Sequence, residues 1–280
     1  MKIVATAIVA LMLAACASGG SSSAKKQEEL AQIYSDMGLG YMQKGDYARA
    51  KEKLEQSLKF NDELPQTYHY LAELYNRKED YATAEKYYKQ AVKLAPDDPN
   101  MQNNYAGFLC ARERMDEAEA MFLGAIHNPS YKTPELAYEN LGMCALRVGQ
   151  VEKAEQYFTN ALRIRPNLPT SLFRTSEILF NKKDYFKARA FLERYLAVGA
   201  TSPEVLWLGV RIERALGDKA METQYSDLLR NRYPDAEQTK LLATEGGSSF
   251  VGQAAPHAEA ESDLSGNFAP GANAPNNANK

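Results

Sequence analysis

Residues 65–98 read PQTYHYLAELYNRKEDYATAEKYYKQAVKLAPDD, and the spacing within them sets the fold. Tyr68, Leu71, Ala72 and Tyr75 fall on one face of a helix that Pro65 opens. A polar break follows at Glu79-Asp80, where the aspartate is suited to cap a second helix. That second helix sets Ala84, Tyr88 and Ala91 on one face and stops before Pro96. Small residues at Ala72 and Ala84 let two helix backbones come close, and the large residues fill the flanking space.

The same unit recurs on both sides. Alanines equivalent to Ala84 stand at positions 50, 118, 154 and 188, an even ladder in which only the step from 118 to 154 is longer, by two. Paired helices with a period of about 34 residues resemble the tetratricopeptide repeat (TPR). Five clear repeats start at Ala31, Pro65, Pro99, Glu135 and Pro169, and a degenerate sixth from Pro203 is expected to cap the array. The two extra positions fall in the stretch His127–Pro134. The fold class is therefore all-α. The resemblance implies a right-handed superhelical solenoid whose concave inner wall holds another polypeptide.

In such repeats, positions 2, 5, 9, 12 and 13 of each first helix line that wall. The expected groove residues are Leu39, Met42 and Gln43 in repeat one, and His69, Glu73, Asn76 and Arg77 in repeat two. Phe173 and Phe180 take such positions in repeat five. Accessible apolar residues there imply something that covers them. Cys110 and Cys144 lie on the first helices of adjacent repeats, and a disulfide is expected to tie repeats three and four across the insertion.

The two ends are different material. Residues 1–15 carry one charge, Lys2, and an apolar run too short for a bilayer span, which needs about 20 residues, but suited to a signal peptide. The run ends in Leu13-Ala14-Ala15-Cys16, which resembles a bacterial lipobox. That resemblance implies cleavage before Cys16, a diacylglyceryl group on its thiol and acylation of the new amine, enough lipid for stable anchoring. Ala17, in place of an aspartate, fits sorting to the outer membrane. Residues 16–26 read as a lipidated cysteine and flexible tether, 27–242 as the solenoid and 243–280 as a disordered tail of Gly, Ser, Ala, Asn and Pro.

Composition narrows the chemistry. The formal charge is −3 with 25% charged residues, and the signs are interspersed, so no basic stripe exists for nucleic acid. The three histidines, His69, His127 and His257, form no HExxH, and no Cys/His cluster has metal-ligand spacing. Neither a phosphate-cradling Gly-rich loop nor a Gly-x-Ser-x-Gly elbow occurs. A non-enzymatic scaffold without cofactor, metal or small-molecule substrate is the expectation.

A lipobox, a short tether, TPRs, a capping unit and the ending Tyr225-Ser226-Asp227-Leu228-Leu229-Arg230-Asn231-Arg232-Tyr233-Pro234 together resemble the PilF/PilW family of type IV pilus biogenesis lipoproteins, the pilotins. The resemblance runs to about Leu242, and the cysteine pair is similar to an intramolecular bridge in some members. It implies an outer-membrane lipoprotein, facing the periplasm, that binds the pilus secretin and promotes its localisation and multimerisation. Pilus biogenesis and twitching motility would depend on it. The repeats alone also fit an adaptor of β-barrel assembly or of cell-wall hydrolases.

Overall fold

The computed structural model describes residues 2–199 and 201–245, with side chains for 23–199, 201–242 and 244. Among the described residues there are thirteen helices and no strand. Two compact units are present, residues 1–108 and 109–280, and each is described by itself.

The first unit holds α1 (Lys2–Gln43), α2 (Tyr47–Phe60), α3 (Pro65–Arg77), α4 (Tyr81–Leu94) and most of α5 (Pro99–Ala111). The second holds the end of α5, then α6 (Met115–His127), α7 (Pro134–Arg147), α8 (Val151–Ile164), α9 (Pro169–Asn181), α10 (Tyr185–Leu196), α11 (Pro203–Leu216), α12 (Lys219–Arg232) and α13 (Glu237–Glu245). Helices pack as sequential pairs, α1 with α2, α3 with α4, α7 with α8, α9 with α10 and α11 with α12. Successive pairs meet through a second helix and the next first helix, as α2 meets α3 and α8 meets α9. The fold is an all-α TPR array.

Local chemistry explains the helix starts and stops. Prolines begin α3, α7, α9 and α11, where a missing N–H costs nothing. Asp46, Asp80, Asp184 and Asp218 cap second helices by accepting from the backbone N–H three residues on. Between the helices of every repeat one residue takes a left-handed backbone: Gly45, Glu79, Glu113, Gly149, Lys183 and Gly217, with φ from 58° to 77°. The residue after each returns an N–H to a carbonyl five residues back, at 2.8–3.1 Å. This closes the first helix with one recurring motif.

Gly217 follows Lys183 by one full repeat period, so the sixth pair keeps the register of the other five although its sequence is degenerate. Glu222 stands there where the other repeats have alanine, and Arg214 and Lys219 bond its carboxylate at 2.8 and 2.9 Å. Close approach in that pair falls to Gly209, where an added Cβ would lie 3.0 Å from the Tyr225 ring. In repeat four the same demand is met by Gly142, where a Cβ would reach within 2.7 Å of Phe158. α13 then covers the last apolar face, burying Leu242 with Leu206, Val210, Tyr225 and Leu229.

The stretch 16–26 lies within α1, where composition predicts a flexible tether. A helix nucleated by the packed repeat extends upstream at one hydrogen bond per residue. The lipidation expected at Cys16 and the tail expected beyond α13 fall outside the described side chains and residues.

Candidate partner-binding surfaces

In the first unit the repeats place the groove candidates at three depths. Gln43 and Arg77 end α1 and α3 in the open. Leu39, Glu73 and Asn76 are half-buried, and Glu73 accepts a hydrogen bond from the Tyr88 hydroxyl. Met42 and His69, expected as groove contacts, are instead interior, at 4% and 8% exposure. Met42 joins Ala50, Leu54, Leu71 and Leu74 in the core, and Leu39 leans on the same cluster. His69 is closed over by Tyr70 and Tyr88, whose ring centres lie 5.6 and 6.0 Å away. Among the described residues, the large apolar side chains exposed on α1 are Ile33 and Met37, one helical turn apart.

Beneath this wall runs a polar seam. Ser35, His69 and Asn103 hold the fifth position of repeats one, two and three, and all are buried. Asn104 Nδ2 and His69 Nε2 are hydrogen-bonded at 3.2 Å, which ties the ring to α5. Burial holds the His69 imidazole below its ordinary value of 6.5, with Glu73 and Asp98 opposing that shift. The unfolded chain therefore binds a proton that the folded chain resists. Stability from this group is complete above about pH 6.5 and is lost as the pH falls, with a slope no steeper than about 1.4 kcal/mol per pH unit. Urea melts at pH 7.5 and 5.5 should show the loss, and H69Q should remove it.

The second unit contains the one disulfide of the described residues. Cys110 near the end of α5 and Cys144 on α7 are bonded, with Cα atoms 5.5 Å apart. The two-residue insertion lies between them. Asn128 Oδ1 accepts from the Ser130 N–H at 2.9 Å to turn the loop, and Tyr131 anchors it by burial.

An open cavity of about 190 Å³ lies between α9, α11 and α13. Glu177, Phe180 and Asn181 line it from α9, and these hold inner-wall positions 9, 12 and 13 of repeat five. Glu204, Trp207, Leu208 and Arg211 face them from α11, and Gln238 of α13 closes one side. The Arg211 guanidinium carbon sits 4.3 Å from the centre of the Phe180 ring. Arg174 Nη1 donates to Glu177 Oε2 at 2.8 Å. Burial raises the Glu177 carboxyl above the usual range, and Arg174 and Arg211 oppose that shift. Phe173 does not join this wall; it packs at 5.7 Å against Tyr195. The α11 side is not assigned from sequence because the sixth repeat reads as a cap. Gly217, one repeat period beyond the Lys183 turn, is the sequence signal that it is a full repeat.

Among the described residues no group of histidine, cysteine and carboxylate side chains could hold a metal, and no helix is long and apolar enough to cross a membrane. Two surfaces of mixed apolar and charged side chains are what the repeats present. Together with the helix pairing they define a TPR scaffold, an architecture for binding polypeptides. Tetratricopeptide-repeat models match residues 29–97, 76–128 and 135–168.

The chain is similar to the type IV pilus assembly protein PilF of Pseudomonas aeruginosa, with 26% identity over 218 residues, 78% of this chain and 86% of that protein. The solved structure of Pseudomonas aeruginosa PilF matches with a TM-score of 0.69 and 25% identity, covering 79% of this chain and 99% of that one. PilW, described as a widely conserved type IV pilus biogenesis factor, matches at a TM-score of 0.66 and 27% identity. It covers 76% of this chain and 98% of its own.

Proposed function

We propose that this protein is a lipid-anchored scaffold of type IV pilus biogenesis that binds the pilus secretin and promotes its outer-membrane localisation and multimerisation. The carrying observation is a conjunction: Leu13-Ala14-Ala15-Cys16 precedes a TPR array similar to PilF over 78% of the chain. The acyl chains on Cys16 would hold the array at the periplasmic face of the outer membrane. No chemistry beyond recognition is required, since the surfaces offer apolar contact, hydrogen bonds and ion pairs.

In the first unit the accessible contacts are Gln43 and Arg77, with Leu39, Glu73 and Asn76 behind them. Met42 is left out of the test because a charge in that core would unfold the repeat. Immobilised chain should capture the secretin from detergent extracts. The pair Q43E and R77E should weaken capture about tenfold without moving the thermal melt. A deletion strain should lose surface pili and heat-resistant secretin multimers, and C16S should fail to restore them. Normal secretin multimers in the deletion strain would reject the reading.

A further inference from the structure

We propose that the cavity between α9, α11 and α13 is a receptor for one basic side chain, lysine or arginine, of an extended guest segment. The inference deepens the scaffold reading and rests on it, because it states what part of a guest the second unit recognises. At about 190 Å³ the cavity is smaller than the roughly 300–1,000 Å³ usual for small-molecule sites, and it suits a single side chain.

Its charges favour a cation. Two carboxylates and one guanidinium line it, from Glu177, Glu204 and Arg211. The guanidinium is laid over Phe180 at 4.3 Å. Glu204 accepts from two neutral donors, the Ser202 hydroxyl at 2.7 Å and the Gln238 amide at 3.3 Å, which bring it no positive charge. Glu177 is paired with Arg174 at 2.8 Å, yet burial still keeps its carboxyl above the usual range, and Glu204 adds to that. An ammonium or guanidinium entering between the carboxylates would relieve both.

The walls suit the stem of such a side chain. Phe180 and Trp207 offer aromatic surface, along which a methylene chain lies while its charge meets a carboxylate. Both rings already have cations nearby, Arg211 at Phe180 and Arg214 at 6.0 Å from Trp207. A guest carboxylate would instead meet Glu177 and Glu204.

Trp207 is the only tryptophan of the chain, so its emission reports on this cavity alone. The probes are short alanine–leucine peptides with a central lysine, norleucine or glutamate, titrated into the full-length chain in detergent. The lysine peptide should shift Trp207 emission saturably, and the norleucine peptide, which keeps the stem without the charge, should bind at least about thirtyfold more weakly. E177Q and E204Q should each weaken the lysine peptide with unchanged melts. Equal binding of norleucine, tighter binding of glutamate, or no emission change with lysine would overturn the proposal. Secretin capture is read separately: its loss rejects the scaffold reading, whereas capture that survives while the lysine peptide fails rejects only this receptor.

Discussion

Replacing both bridging cysteines, as C110A with C144A, should destabilise the second unit by about 3–4 kcal/mol, as should reduction of the native chain. The bond closes a loop over a sequence separation of 34, and the loop-entropy relation gives the magnitude. The position of the bond makes the expectation sharper. Repeat four begins after an insertion of two residues, so the spacing that stacks the other repeats is broken there. The cross-link restores proximity between the end of α5 and α7, where Cys110 and Cys144 are both buried. Alanine is the right replacement, since a serine hydroxyl would add the cost of burying a polar group. Stability in a repeat array is a sum of local and neighbour terms, so the loss should concentrate near the bridge rather than spread evenly. Hydrogen exchange should quicken first in α7 and in the loop from Asn128 to Thr133, with α12 hardly affected. A melt insensitive to reductant would refute this account.

The array was legible in the sequence because its causes are local and repeated. Alanines at positions 50, 84, 118, 154 and 188 mark the helix crossings, and all five are fully buried. Gly142 and Phe158 fit the same logic, a missing Cβ facing a ring. The binding surfaces were less legible. A positional template says which way a side chain points along a helix but not how tall its neighbours are. His69 takes a wall position, yet Tyr70 and Tyr88 rise around it and take it out of solvent. Met42 is long and flexible enough to fold inward, and the Leu71–Leu74 side of α3 receives it. Phe173 and Phe180 lie two turns apart on one helix, but only Phe180 faces a cavity, because Tyr195 takes up the other. The α11 wall is hidden in the sequence for the opposite reason. Its diagnostic alanine is Glu222, and the Arg214 and Lys219 bonds that make a glutamate tolerable there depend on three-dimensional placement.

Arg189 should be the surface-edge residue whose loss is felt most, with R189M destabilising by about 3 kcal/mol. Glu213 of α11 is 1% exposed, so its carboxylate has surrendered its hydration to the fold. Arg189 of α10 compensates with a two-pronged contact, Nε to Oε1 at 3.0 Å and Nη2 to Oε2. The same Nη2 reaches Asp218 Oδ2 at 3.3 Å, and Asp218 caps α12 through the Met221 N–H at 3.1 Å. One guanidinium thus links α10, α11 and the start of α12, the joint between repeats five and six. Methionine preserves the stem and removes the charge, leaving Glu213 buried without it. The lower end of the range for broken buried pairs applies because the Arg189 side chain is 27% exposed and water can enter. A lysine at this position cannot make the fork and should recover only part of the loss. The decisive comparison is the double variant R189M with E213L. If an abandoned charge is the cause, the double variant should regain most of the stability lost by R189M alone. If the cause is lost packing around the arginine stem, the double variant should be no better than the single one.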